Sequence, residues 1–179
     1  RKDFWNRLTI AYRDLLIQEV LGQLKQRQAS GPTAFVERFF EDFEELFGDY
    51  ISADPVSFPG FRVSIEQALA AGVCPSGVIT GIGTFRGSDG PLRCGAVISN
   101  VDFQAGAFDM ASADKVCHLL VACAERRLPV VCFISSGGMQ TKEGAGALFS
   151  MAVVNDRITR FVLDMDLPVI IFGFGDCTG

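Results

Sequence analysis

Apolar residues recur along this chain in two rhythms, and the change between them divides it. Phe4, Leu8, Tyr12, Leu15, Leu16, Val20, Leu21 and Leu24 keep the three-and-four spacing of an amphipathic helix over residues 4–28. Ser30, Gly31 and Pro32 end it. After Thr33, the residues Phe35, Val36, Phe39, Phe40, Phe43, Leu46 and Phe47 lie along one side with acidic residues opposite. That pattern predicts a second helix with Gly48 as its C-cap. Residues 1–50 therefore read as an N-terminal helical segment, and residues 51–179 as the core.

Residues 53–77 are loop-rich, with Pro55, Pro59, Gly60, Gly72 and Pro75, and one short helix is expected around 65–70. From Val78 the rhythm turns to short β-rich runs. Strands are expected over 78–85 and 93–101, joined by the turn Gly87-Ser88-Asp89-Gly90-Pro91. A helix over 111–127 follows, with Val116, Leu119, Leu120 and Ala124 inward, then a strand over 129–135, a helix over 143–164 and a strand over 168–174. The order is β-β-α-β-α-β. Both late strands, PVVCFIS and PVIIFGF, are continuous apolar runs, as expected of strands covered on both faces in a layered α/β fold.

Composition narrows the choice of function. With 49% hydrophobic and 21% charged residues, the 179-residue chain has the make-up of a folded domain with a sizeable core. A net charge of −5 argues against nucleic acid as the main partner, because a phosphate backbone demands a basic face. A local basic patch could still hold a phosphorylated cofactor. No apolar stretch approaches the roughly 20 residues of a membrane span, and the charged start RKDFWNRLTIAYRD does not read as a signal peptide. Six cysteines form no CxxC pair, and GVCPSG, KVCHLLVACA and VVCFIS place four of them in apolar runs. They read as free core thiols in a reducing cytoplasm, organelle stroma or matrix rather than as a disulfide framework or zinc site.

The chemistry concentrates in PVVCFISSGGMQTKEGAGALFSMA. A buried strand ends at Ser135-Ser136, Gly137 and Gly138 follow, and a helix begins near Lys142 or Glu143. Glycines let the backbone turn sharply and a ligand approach its amides, and the helix N-terminus adds a positive field. Two adjacent amides can stabilise an oxyanion.

This segment resembles the SGGxxxxEG signature of biotin-dependent carboxyltransferases, here Ser136-Gly137-Gly138, Met139 to Lys142, then Glu143-Gly144. Asp102-Phe103-Gln104-Ala105-Gly106-Ala107 stands where the family has a Phe and a glycine-rich turn. Gly175-Asp176-Cys177-Thr178-Gly179 is similar to its D-x-T-x-G-G loop, and FFEDFEELFGD (39–49) to its DFxELxGD block. The resemblance implies a crotonase-like α/β fold that binds an acyl-CoA thioester. A carboxyl group would pass from carboxybiotin, on a biotin carboxyl carrier protein, to the carbon alpha to the thioester carbonyl. It implies Gly137 and Gly138 as catalytic amide donors. Phe103, Ala105, Gly106, Met139, Lys142, Glu143 and Gly144 would line the acyl-CoA pocket. It also implies a biotin carboxylase and a second carboxyltransferase subunit or half as partners in an oligomer, with no metal, and a chain incomplete at its C-terminus or completed by another chain. The sequence departs from the family where Met139-Gln140-Thr141-Lys142 replaces Ala-Arg-Met-Gln, and no cysteine precedes Cys74 to form an N-terminal zinc ribbon.

Other residues read as structure. His118, the only histidine, lies mid-helix without a partner, and Cys132 lies inside a strand. Cys177, in a glycine-rich loop, has no histidine beside it to make it a nucleophile. Arg86, Arg93, Arg126, Arg127, Lys142, Arg157 and Arg160 are candidates for CoA phosphates. Glu143 reads as a helix-capping partner as readily as a ligand contact. Two other readings share the oxyanion device or the fold: a crotonase-type hydratase, isomerase or decarboxylase, and a non-catalytic scaffold subunit.

Overall fold

The computed structural model describes residues 31–87 and 90–177. The predicted helix over 4–28, Ser88-Asp89 of the predicted turn, and Thr178-Gly179 of the last loop lie outside the described residues. Helix α1 (Pro32–Phe39) begins with a proline in its first turn, where the missing N–H costs nothing. It ends at Phe40, whose φ of −119° and ψ of 153° are extended. The chain continues as strand β1 (Phe40–Leu46), then helix α2 (Phe61–Ala70), strand β2 (Val78–Gly87) and strand β3 (Gly90–Ser99). Helix α3 (Met110–Glu125), strand β4 (Val130–Ser136), helix α4 (Ala145–Leu163) and strand β5 (Val169–Cys177) complete it.

The five strands form one mixed sheet in the order β1-β2-β3-β4-β5. The first two pairings are antiparallel, β1 to β2 and β2 to β3. The next two, β3 to β4 and β4 to β5, are parallel, each bridged by a helix. On one face Val116, Leu119, Leu120 and Cys123 of α3, with Val154 and Phe161 of α4, pack against Val78, Ile82, Val97, Val130 and Cys132. On the other, Phe35 and Phe39 of α1 join Phe40, Phe85 and Phe133. There the Phe35 and Phe133 rings are 4.9 Å apart and those of Phe85 and Phe133 5.5 Å. The strand and helix order expected from residue 78 onward is present. The short helix expected at 65–70 is longer, starting at Phe61.

The helix expected over 33–47 is half helix and half strand, and the reason is a β-bulge. Glu41 pairs with Thr84 but Glu44 with Ile82, so β1 carries one extra residue, and Asp42 takes φ 49° there. The extra residue puts Phe40 and Phe43 on the same face three positions apart, a spacing that imitates a helix. Their rings lie 5.4 Å apart. Because β1 pairs with β2, residues 40–46 share the sheet of the later strands.

The last strand departs from expectation too. β4 is covered on both faces, but β5 is not: Ile171 is 64% and Phe172 52% exposed. β5 is the final strand in the sheet order, with β4 as its ladder partner. Its neighbour α4 presents Phe149, 73% exposed, and Leu163, 75% exposed.

Gly81 and Gly83 of β2 make room for β1. A Cβ on Gly81 would meet the Glu44 carbonyl and the Phe43 ring, and one on Gly83 would stand 3.0–3.1 Å from the Phe43 and Phe40 rings. Gly81→Val is expected to lower unfolding stability by about 1–3 kcal/mol in urea titration, the cost of overpacking. Added to Phe43→Ala, the same change is expected to cost less.

Candidate active site

The site is built from two turns at neighbouring strand ends. After β3 the chain reaches Gln104, Ala105 and Gly106 with φ of 48°, 53° and 68°, three consecutive left-handed residues. For a residue with a Cβ this conformation costs roughly 1–2 kcal/mol, so the neighbouring contacts must hold it. Gly106 has no alternative, because a Cβ there would strike the Ser135 carbonyl. After β4 come Gly137, Gly138, with φ 100°, and Met139.

Hydrogen bonds zip the two turns together. The Gly137 amide donates to the Ala105 carbonyl at 3.0 Å, and Ser136 Oγ donates to the Gly106 carbonyl at 2.7 Å. Phe108 N–H donates to the Gly138 carbonyl at 2.8 Å, and Gln140 N–H returns to the Phe108 carbonyl at 2.8 Å. Lys142 Nζ donates to Gln104 Oε1 at 2.6 Å and sits 5.5 Å above the Phe61 ring. Segments about thirty residues apart in sequence thus form one unit.

This zipper divides the predicted amide donors. Gly137 N–H is committed to Ala105, so it cannot serve an oxyanion in this arrangement. Gly138 N–H donates to Ser136 Oγ at 3.1 Å. Met139 N–H takes no acceptor among the described residues. The surface at Gly137 is open: a Cβ added there would come no closer than 3.7 Å to Ala105.

The other predicted residues sort by burial. Ala105 is exposed, Met139 and Lys142 are half-buried, and all three belong to the zipped unit. Gly144, at φ 66°, opens α4 beside Val56. Phe103 is 3% exposed and packs with Phe61 and Ile65, so its side chain belongs to the core. Glu143 is 1% exposed, and its Oε2 accepts from Met110 N–H, the first residue of α3. That oxygen caps a neighbouring helix. Burial pushes the Glu143 carboxyl above its ordinary value, against the Met110 bond and with help from the Asp109 and Asp54 carboxylates.

Three contributors escaped the sequence reading. Gln104 holds Lys142, and Ser136 links the turns. Asp109, fully buried, caps α3 by accepting from Ser112 N–H at 2.6 Å and also accepts from Ser52 Oγ and Gly77 N–H. An aspartate three residues before a serine at a helix start was the available signal for Asp109. Ser136 was marked as the first residue of the SGG block though not for its bond across the turns, and nothing in the sequence signalled Gln104. A cavity of about 430 Å³ opens beside the Glu143–Met110 clamp, lined by Tyr50, Ile51, Pro55, Met110, Ala111 and Glu143 among others; Gly137 and Gly138 do not line it.

Residues read as structural behave so. His118 Nδ1 is 2.8 Å from the Asp114 carbonyl, and its ring packs on Phe47 and Tyr50. Burial pushes the Cys94 thiol up to about 11 and those of Cys123 and Cys132 up to about 12, which makes them inert. Cys177 is exposed, with its thiol donating to the Ile134 carbonyl at 3.4 Å. Of the candidate cations, Arg86 pairs with Glu41, Arg160 with Asp156, and Arg127 donates to the Met165 carbonyl. Lys142 reaches the turns. Among the described residues, no helix is long and apolar enough to cross a membrane, and no three His, Cys, Asp or Glu side chains are grouped to hold a metal ion.

The mixed sheet with its two turns has the fold of acyl-CoA carboxylase and transcarboxylase subunits. It matches transcarboxylase 12S with a TM-score of 0.64 at 19% identity, covering 96% of this chain and 32% of that one. It matches the geranyl-CoA carboxylase β subunit of P. aeruginosa with a TM-score of 0.57 at 22% identity, covering 90% and 29%. In sequence the chain is a homologue of acetyl-coenzyme A carboxylase carboxyl transferase β subunits. It is 34% identical over 127 residues to subunit beta 2 of Lactiplantibacillus plantarum, 70% of this chain and 43% of the relative. It is 28% identical over 142 residues to subunit beta of Alkaliphilus oremlandii, 78% and 50%. The chain spans about half the length of these curated relatives. No protein-family model matches it.

The clamp makes a pH-dependent prediction. A carboxyl whose folded pKa is raised contributes stability that is fully present below its ordinary value of 4.5 and is lost as pH rises through the folded pKa. Glu143→Gln keeps an acceptor for Met110 without a charge to bury. Its melting temperature near neutral pH is expected to equal or exceed that of the unaltered chain, the difference shrinking as pH falls toward 4.5. A less stable Gln variant near neutral pH would mean that the ionised carboxylate is the preferred cap.

Proposed function

We propose that this chain is the acyl-CoA-binding half of a biotin-dependent carboxyltransferase, with the crotonase-type spiral of β-β-α units and acetyl-CoA as its first candidate substrate. The reaction moves a carboxyl group to the alpha carbon of the thioester and yields malonyl-CoA or a homologue, a step of fatty acid synthesis in the cytoplasm. One observation carries this reading. The Gly138 and Met139 amides stand next to each other at an open turn, one against a side-chain hydroxyl and the other without an acceptor among the described residues.

Removing the alpha proton places negative charge on the thioester oxygen. Amides that are already oriented stabilise that charge without reorganising at the moment of reaction. A change of Ser136 rotamer, which gives up the bond to the Gly106 carbonyl as well, would release the Gly138 donor. Gly137, lacking a side chain and exposed, leaves space for the thioester beside it. Lys142, held by Gln104, supplies a cation near the turns for the anionic substrate. Carboxybiotin, presented by its carrier protein, supplies the activated carboxyl group. The open side of Gly137, where an added Cβ would come no closer than 3.7 Å to Ala105, is compatible with such a group approaching there.

Glu143 is spent on the α3 cap, which weighs against a hydratase needing a carboxylate pair over the substrate. The uncovered apolar residues of β5 and α4 favour assembly with a second carboxyltransferase half, and biotin carboxylase would complete the set.

Gly138→Val tests the assignment. Its φ of 100° disfavours any side chain, and a branched one would crowd the amide. In the assembled carboxylase the variant is expected to lose about a hundredfold or more in kcat for carboxyl transfer, with acyl-CoA binding by calorimetry retained. Transfer at the unaltered rate would overturn the assignment, as would independence from the biotinylated carrier.

A further inference from the structure

Among the described residues, Lys115 is the one buried cation, and the proposed chemistry does not use it. It lies in the middle of α3 and is 0% exposed. Its ammonium donates to the Val78 carbonyl at 3.2 Å and to Cys74 Sγ at 3.3 Å. Both partners are neutral acceptors, and neither ion pair seen among the described residues includes it. Burying an ammonium without an anion is costly, and a methionine or leucine would fill the same space on this face without that cost. The amine nitrogen is instead aimed at one sulfur.

Cys74 differs from the core thiols. It lies in the loop before β2 and is half-buried, so small reagents can reach the sulfur while Lys115 stays behind it. Its own S–H is directed away from the amine, toward the Gly48 carbonyl at 3.7 Å. The sulfur is thus partly exposed and has a nitrogen 3.3 Å away, a combination that the buried Cys94, Cys123 and Cys132 lack.

We propose that Cys74 and Lys115 form a reversible covalent redox site, closed by peroxides. In the first step the sulfur attacks a peroxide. An S–O bond forms, the O–O bond breaks, one water leaves, and the thiol is oxidised by two electrons to a sulfenic acid while the peroxide is reduced. In the second step the Lys115 ammonium passes one proton to the sulfenyl oxygen, the freed amine displaces that oxygen, and the joined nitrogen then sheds its extra proton. An S–N bond forms, the S–O bond breaks, and a second water leaves. The product is a sulfenamide joining the loop before β2 to α3. A dithiol reductant reverses it by attack on sulfur, returning thiol and amine. The bridge would halt oxidation at a recoverable stage, before the irreversible sulfinic acid. This inference is independent of the carboxyltransferase reading.

Peptide mass spectrometry of the intact full-length protein tests it. After a brief hydrogen peroxide pulse, the peptide containing Cys74 is expected to be joined to that containing Lys115, lighter than their sum by about two mass units for the two hydrogens lost. Dithiothreitol should separate them. In Lys115→Arg, whose guanidinium cannot take the amine's place, the link should vanish and Cys74 should run on to the sulfinic acid, while Cys177 oxidises as before. Cys74 in the unaltered protein ending as sulfinic acid with no linked peptide would overturn the proposal. So would a dithiothreitol-sensitive link from Cys74 to any other residue.

Discussion

The two turns depend on a single constraint: Gly106 must lie against the Ser135 carbonyl closely enough to leave no room for a Cβ. That approach lets Ser136 Oγ span to the Gly106 carbonyl and lets Gly137 donate to Ala105. Once these bonds form, the left-handed run 104–106 and the glycine turn 137–139 are one rigid object. Each bond contributes about 1 kcal/mol net, of the same order as the strain of holding Gln104 and Ala105 left-handed. The unit is therefore sustained by the set of bonds, and no one of them would suffice. Its position follows from the parallel pairing of β3 with β4, which brings both strand ends to the same edge.

Much of this arrangement could be read from residue order. The β-β-α-β-α-β succession from Val78 followed from run length and apolar continuity, and the strand-Gly-Gly-helix block located the turn after β4. What failed did so for local physical reasons. The bulge at Asp42 set Phe40 and Phe43 three apart on one face, so the strand bore a helical signature. The apolar run of β5 matched that of β4, yet coverage depends on neighbours that periodicity does not name. Within the site, glycine content pointed to Gly137 and Gly138 equally. The difference between their amides arises from Ala105, more than thirty residues away in sequence.

Glu143 shows how a motif residue can serve the fold. It stands in the SGGxxxxEG block, and its carboxylate reaches across to the first amide of α3. Asp109 caps the same helix from inside and gathers Ser52 and Gly77 to it. Two carboxylates therefore converge on one helix start, where the backbone dipole favours negative charge. Burial opposes the charge on Glu143. The geometry of the second turn is thus tied to the start of α3, and a change at either end is transmitted to the other.

The left-handed tip carries one further consequence. A glycine at 104 would adopt φ 48° at little cost, yet it would leave nothing to grasp Lys142. By keeping a glutamine there, the chain trades conformational comfort for a tether, and the long flexible lysine is moored over Phe61 in place of sweeping through solvent. A positive charge so moored has lost most of its rotamer freedom at the folding stage, so an arriving anion need not pay that entropy again.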